Sequence, residues 1–243
     1  LFITLNAANA KSEKKTLSVC TLKLAGGMVV DKDQGFLIDL LQETLGKKYD
    51  LSVEVLPIQR SIKTFEENKC VLMATMIAGD LKTPSRTELP TSLQDHYRVY
   101  SLNKELIKKH FDVEGLKSAD QSQKELKIIE VRSWKVPKYL LGKNTVYKAQ
   151  DMPTAVKMLL ANRADYLVGF NYLVRSYLEK MKIKSVKTLE ALKYEEKEVV
   201  FVANPPYAKS ILIEYKKNLL KILESGLYDR LVQKHKAPQW LFL

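Results

Sequence analysis

The residues able to do chemistry in this chain are better suited to holding a ligand than to transforming one. Histidine occurs only at positions 96, 110 and 235, without metal-like spacing, and Cys20 and Cys70 form no C-x-x-C pair. There is no G-x-S-x-G elbow, no phosphate-cradling glycine loop and no dinucleotide fingerprint. No catalytic centre, metal or cofactor is therefore expected, although acidic residues are plentiful enough to leave a carboxylate pair open. What remains is recognition chemistry. The guanidinium of Arg86 offers a planar fork of donors that matches a carboxylate. Ser133 can cap a helix and leave backbone donors facing a ligand. Beside it, Trp134 offers a stacking wall for a ring or sugar, or equally a piece of lobe-interface packing.

These side chains need a scaffold, and the hydrophobic pattern describes one. Strands are predicted over 16–22, 51–56 and 70–77, with helices over 35–46 and 60–68 between them. The theme recurs with strands over 126–131, 145–149 and 165–170 and helices from 133, after Asp151 and over 171–181. A strand over 198–203 and helices over 209–224 and 227–234 complete the chain. Strands alternating with helices argue for parallel βαβ units. Recurrence of one such unit at a scale of about 100 residues argues for two lobes. Arg60 opens a predicted helix, where it either points at a cleft or braces a loop. The glycines of the loop 23–28, Gly26 among them, permit close backbone approach.

Five segments carry a resemblance. Gly35-Phe36-Leu37-Ile38-Asp39-Leu40, Leu56-Pro57-Ile58-Gln59-Arg60-Ser61, Thr83-Pro84-Ser85-Arg86, Asn162-Arg163-Ala164-Asp165 and Asn218 through Tyr228 occur in order. Together they resemble motifs of the family 3 extracellular solute-binding proteins, which serve polar amino-acid ABC transporters. The resemblance covers nearly the whole chain. It implies an α/β, two-lobed type II periplasmic binding protein fold, each lobe an open, mostly parallel sheet flanked by helices. Lobe 1 would be discontinuous, 16–101 plus 200–243, with lobe 2 over 102–199. It also implies that Arg86 holds a ligand carboxylate, helped by Gly79 and Thr83.

The departures narrow the ligand. The family commonly has Thr or Ser five residues before this Arg, and here that residue is Leu81. Where its Asp pairs with an α-ammonium stands Phe170, followed by Asn171. A phenyl ring cannot replace a carboxylate in an ion pair, although a cation–π contact is open to it. The resemblance thus implies a binding protein for a small polar, carboxylate-bearing ligand rather than an ordinary amino acid. Two alternatives on the same fold are a sensory or interaction module and a dehydratase of the cyclohexadienyl type. The dehydratase would use Asp80 and Glu88 beside Arg86.

The context agrees with export. Residues 1–10 read as the end of a signal peptide closing on Ala8-Asn9-Ala10. A periplasmic monomer with an ABC permease or membrane sensor as partner is expected. The formal net charge of +12 is spread as lysine doublets over nearly every helix, unlike a nucleic-acid site. Export permits a Cys20–Cys70 disulfide, but both cysteines lie in apolar runs where an inert buried thiol is the commoner outcome.

Overall fold

The computed structural model describes residues 14–24, 27–77, 86–112, 115–116, 126–132, 136, 138–141, 144–188 and 197–237. Its elements in order are β1 (Lys15–Thr21), α1 (Phe36–Leu45), β2 (Tyr49–Val55), α2 (Ile58–Glu66), β3 (Leu72–Ile77), β4 (Thr87–Asp95), β5 (Tyr97–Ser101) and α3 (Lys104–His110). A small hairpin, β6 (Phe111–Asp112) and β7 (Gly115–Leu116), leads to β8 (Lys127–Val131), α4 (Lys138–Leu141), β9 (Thr145–Ala149) and α5 (Met152–Leu160). Then come β10 (Tyr166–Phe170), α6 (Asn171–Lys180), β11 (Lys187–Thr188), β12 (Lys197–Ala203), α7 (Ala208–Glu224) and α8 (Leu227–Lys234).

Two five-stranded sheets result, ordered β2-β1-β3-β12-β4 and β11-β5-β10-β8-β9. They are built alike. Each contains a βαβαβ unit whose first strand lies in the middle, with parallel pairs β1·β2 and β1·β3 in one and β8·β9 and β8·β10 in the other. Each then takes one antiparallel strand from the other half of the chain order, β12 beside β3 and β5 beside β10. A further antiparallel strand closes each edge, β4 and β11. The chain crosses between sheets at His96 and again between Thr188 and Lys197. Strand 97–101, placed with lobe 1 from the sequence, pairs in the second sheet, and 197–199, placed with lobe 2, pairs in the first. Hydrogen-bond partners rather than apolar runs decide this.

Local sequence explains the helices. α1 buries Phe36, Leu37, Leu40, Leu41 and Leu45, the stripe that the 3.6-residue period predicts. It starts at Gly35, where φ is 140° and a Cβ would lie 2.6 Å from the Met28 carbonyl oxygen, so only glycine fits. Asp151 caps α5 as predicted, accepting the Thr154 N–H at 2.8 Å with Pro153 in the first turn. One core packs α1, α7 and α8 on the first sheet, and a second packs α3, α5 and α6 on the other. A third, smaller cluster under α2 contains Phe65, Met73, Val200 and both cysteines. There Cys20 and Cys70 form a disulfide with Cα atoms 5.9 Å apart, within the ordinary span. The expectation of free buried thiols is corrected. The parallel pair β1·β3 sets Cys20 level with Met73, three residues from Cys70. No described helix is long and apolar enough to cross a membrane.

Candidate functional site

In open α/β sheets of this kind, ligands bind beyond the carboxyl ends of the parallel strands. In the first sheet β12 sets Val199 opposite both Ile77, at the end of β3, and Leu93, near the end of β4. The carboxyl ends of β3 and β4 are therefore level, and the chain crosses to the second sheet directly beyond them. The crossing and the expected cleft share one pole.

Arg86 sits at the other pole. Its neighbour Thr87 pairs with Ala203, which also pairs with Leu72 at the beginning of β3. β4 bulges around Ser92, and the six steps of β12 from Ala203 to Lys197 separate the partners of Thr87 and Asp95, about 20 Å at strand spacing. The guanidinium lies over the Phe65 ring at 4.8 Å, and its Nε donates to Asn204 Oδ1 at 3.0 Å. Asn204, 2% exposed, donates from Nδ2 to the carbonyls of Phe65 (2.9 Å) and Cys70 (3.1 Å). Arg86 thus braces the end of α2 against β12, away from the pole where a cleft is expected. Glu88 stands on the same stretch, opposite Val202, so it too lies far from the crossing. β4 begins directly after Arg86, and its pairing with β12 sets Arg86 at the pole away from the crossing.

Two further predicted contacts are committed elsewhere. Phe170 ends β10, is 6% exposed and stacks on Tyr97 with centroids 4.0 Å apart. Asn171, 2% exposed, accepts the Tyr100 hydroxyl at 2.9 Å and donates its N–H to the His96 carbonyl at 2.8 Å. Both serve the packing of the crossing. Arg60 lies exposed in the first turn of α2, at the carboxyl end of β2 and hence at the cleft pole. Gly26, Gly79, Asp80, Leu81, Thr83, Ser133 and Trp134 lie outside the described residues.

Sequence reasoning missed the cluster at the crossing itself. Asp95, 4% exposed, accepts the N–H of His96 at 2.8 Å and that of Tyr172 at 3.3 Å to both carboxyl oxygens. Burial pushes this carboxyl up to about 7, against the smaller opposing pull of those N–H bonds and of Arg98. Beside it His96 accepts the Arg98 Nε–H at 2.7 Å. Burial, with the charges of Arg98 and Arg175, lowers the His96 imidazole to about 4. Both groups are therefore held neutral near pH 6. Tyr172, in the first turn of α6, packs into the core of the first sheet, where its hydroxyl pairs with the Met28 backbone and with Ser176. The visible signal was three titratable or cationic residues close together, Asp95, His96 and Arg98, spanning the end of β4 and the start of β5. Among the described residues no group of acidic, His and Cys side chains could hold a metal ion.

No protein-family model matches the chain, and no curated protein does. Solved structures do. An ABC uptake transporter substrate-binding protein from Streptococcus pneumoniae with bound histidine aligns at TM-score 0.69 and 11% identity, over 90% of this chain and 91% of that one. An ancestral amino acid-binding protein, described as a precursor of cyclohexadienyl dehydratase, aligns at 0.68 and 17%, over 90% and 94%. The GluR0 ligand-binding core from Nostoc punctiforme in complex with L-glutamate aligns at 0.67 and 17%, over 91% and 100%. Likeness at these identities is a likeness of fold, and the chain has the two-lobed α/β fold of type II periplasmic binding proteins.

Proposed function

We propose that this chain is an exported solute-binding protein that captures a small polar ligand between its lobes and presents it to an ABC permease. The observation that supports this most is the matched pair of sheets, joined by two crossings at the pole where their parallel strands end. Such a frame lets two loop clusters close on one ligand while the lobes stay intact. The similar structures with bound histidine or L-glutamate favour a carboxylate-bearing ligand. With Arg86 at the far pole, carboxylate recognition falls to Arg60 and to donors in the loops after β1, β3 and β8. The stacked, buried Phe170 favours a ligand whose amino group, if it has one, finds no carboxylate at that position. A dehydratase reading has less support, since Glu88 shares the far pole with Arg86.

The test is native mass spectrometry of gently purified protein, followed by calorimetry with whatever is released and with the standard amino acids. A small carboxylate bound at one per chain, weakened tenfold or more by Arg60→Ala, supports the reading. It is overturned if no released molecule and no member of the panel either binds or shifts Tm.

A further inference from the structure

α7 buries Ala208, Ile211, Tyr215, Leu219 and Ile222 against the first sheet and its neighbours. The opposite face of such a helix is ordinarily polar. Here its centre carries Ile213 (61% exposed) and Leu220 (59%), two turns apart, with Leu223 (40%) to one side. Three of the eight large apolar side chains exposed among the described residues are on this one helix. Lysines border them on both sides: Lys209 and Lys216 on one, Lys217 and Lys221 on the other, all exposed. From the neighbouring loop Lys48 reaches Glu214 at 3.6 Å. The face thus combines protruding aliphatic groups with five cations against two glutamates, 214 and 224.

We propose that this face of α7 rests on an anionic lipid surface, with Ile213 and Leu220 entering the headgroup layer and the lysines meeting lipid phosphates. That is the chemistry of an interfacial amphipathic helix lying in the membrane plane. A second copy of this chain fits poorly, because apposed copies would bring two lysine borders together. A protein partner fits less well than lipid. Protein hot spots favour Trp, Tyr and Arg, whereas Leu is under-represented and Lys depleted there. The net charge of +12 adds long-range attraction to the same target.

Co-sedimentation with phosphatidylcholine vesicles, with or without about 30% phosphatidylglycerol, tests this at about 50 and 500 mM salt. The chain is expected to bind the anionic vesicles at low salt at least about tenfold more tightly than neutral ones, and to release at high salt. Ile213→Ser with Leu220→Ser should weaken binding about fivefold or more with Tm unchanged, since both side chains are already exposed. Lys216→Glu with Lys217→Glu should abolish it, while Lys182→Glu with Lys184→Glu on the second lobe should leave it within about twofold. The proposal is overturned if the chain ignores anionic vesicles, if the serine pair binds as tightly as the parent, or if the second-lobe pair matters as much. It is equally overturned if the α7 variants keep vesicle binding but lose an acidic protein partner.

Discussion

Replacing Asp95 by Asn asks whether the crossing is built around neutral groups. A carboxyl whose folded pKa, about 7, lies above its ordinary value of 3.8 keeps a proton that the unfolded chain has released. Its contribution to stability is therefore fully present in acid and is lost as pH rises from about 4 to about 7. The whole shift is worth at most about 4 kcal/mol, of which about 3 kcal/mol falls between pH 5 and 8. His96 works in the opposite sense. Its folded pKa of about 4 lies below the ordinary 6.5, so its contribution is present above about 6.5 and lost as pH falls through 4. Discounted for partial exposure, that is about 2 kcal/mol. In the parent chain the two slopes oppose each other between pH 4 and 6.5. In the Asp95→Asn variant the amide keeps an oxygen for the N–H groups of His96 and Tyr172 but has nothing to ionise. Chemical unfolding of both proteins at about pH 5 and pH 8 should show the variant gaining about 3 kcal/mol on the parent across that interval. The variant alone should also become more stable from pH 4 to 6.5, with the His96 slope uncovered. A variant that loses stability equally at both pH values, or loses more at pH 8, would show that Asp95 is an ionised, stabilising cap and refute the reasoning.

Four further expectations follow from the frame. Reducing the Cys20–Cys70 bridge, which closes a 50-residue separation, should cost about 4 kcal/mol by loop entropy, measured by urea unfolding with and without reductant. Asn204→Ala should cost about 2–3 kcal/mol, because it strips partners from Arg86 and from two buried carbonyls. Arg86→Ala should lower stability as well while leaving ligand affinity within about twofold, and a tenfold loss of affinity in calorimetry would restore Arg86 to the cleft. At the end of α8, Lys234 and His235 hold Asp39 of α1 at 2.6 and 2.7 Å. Burial pushes the Asp39 carboxyl up, but those hydrogen bonds outweigh it and hold it below its usual range. The stability gained there should be present above about pH 4 and lost on acidification through the folded pKa. Asp39→Asn should cost about 1 kcal/mol at neutral pH in the same unfolding assay.

What was legible in the sequence is the part governed by apolar periodicity. The stripe of α1, the continuous apolar runs of β3 and β10 and the Asp151 cap each read directly into an element. The stretch from 86 to 110 did not. β4 alternates inward and outward residues, but its buried positions are Leu89, Thr91, Leu93 and Asp95, so half of the inward set is polar and Pro90 interrupts it. Those polar groups are satisfied by partners remote in sequence: Thr91 donates to the Val199 carbonyl, and Tyr228 donates to the Thr91 carbonyl at 2.7 Å. A local pattern cannot announce a bond to a residue 108 or 137 positions away. Arg86 falls in the same gap. Its motif says which residue type follows β3, whereas its position depends on where β4 begins, and that is set by pairing with β12.

The crossing cluster and the cleft should therefore respond differently to substitution. Residues on the pivot between lobes move least when the lobes close, so their hydrogen bonds persist in open and closed forms. Asp95, His96 and the first turn of α6 lie there, each bonded to the other. A ligand shifts an equilibrium only through interactions that differ between the two states. Asp95→Asn should then change stability and its pH dependence while altering ligand affinity by less than about twofold. Arg60, exposed at the opening of α2, should do the reverse. If Asp95→Asn weakened binding tenfold without changing the pH dependence of stability, the cluster would belong to the ligand site and the pivot would lie elsewhere.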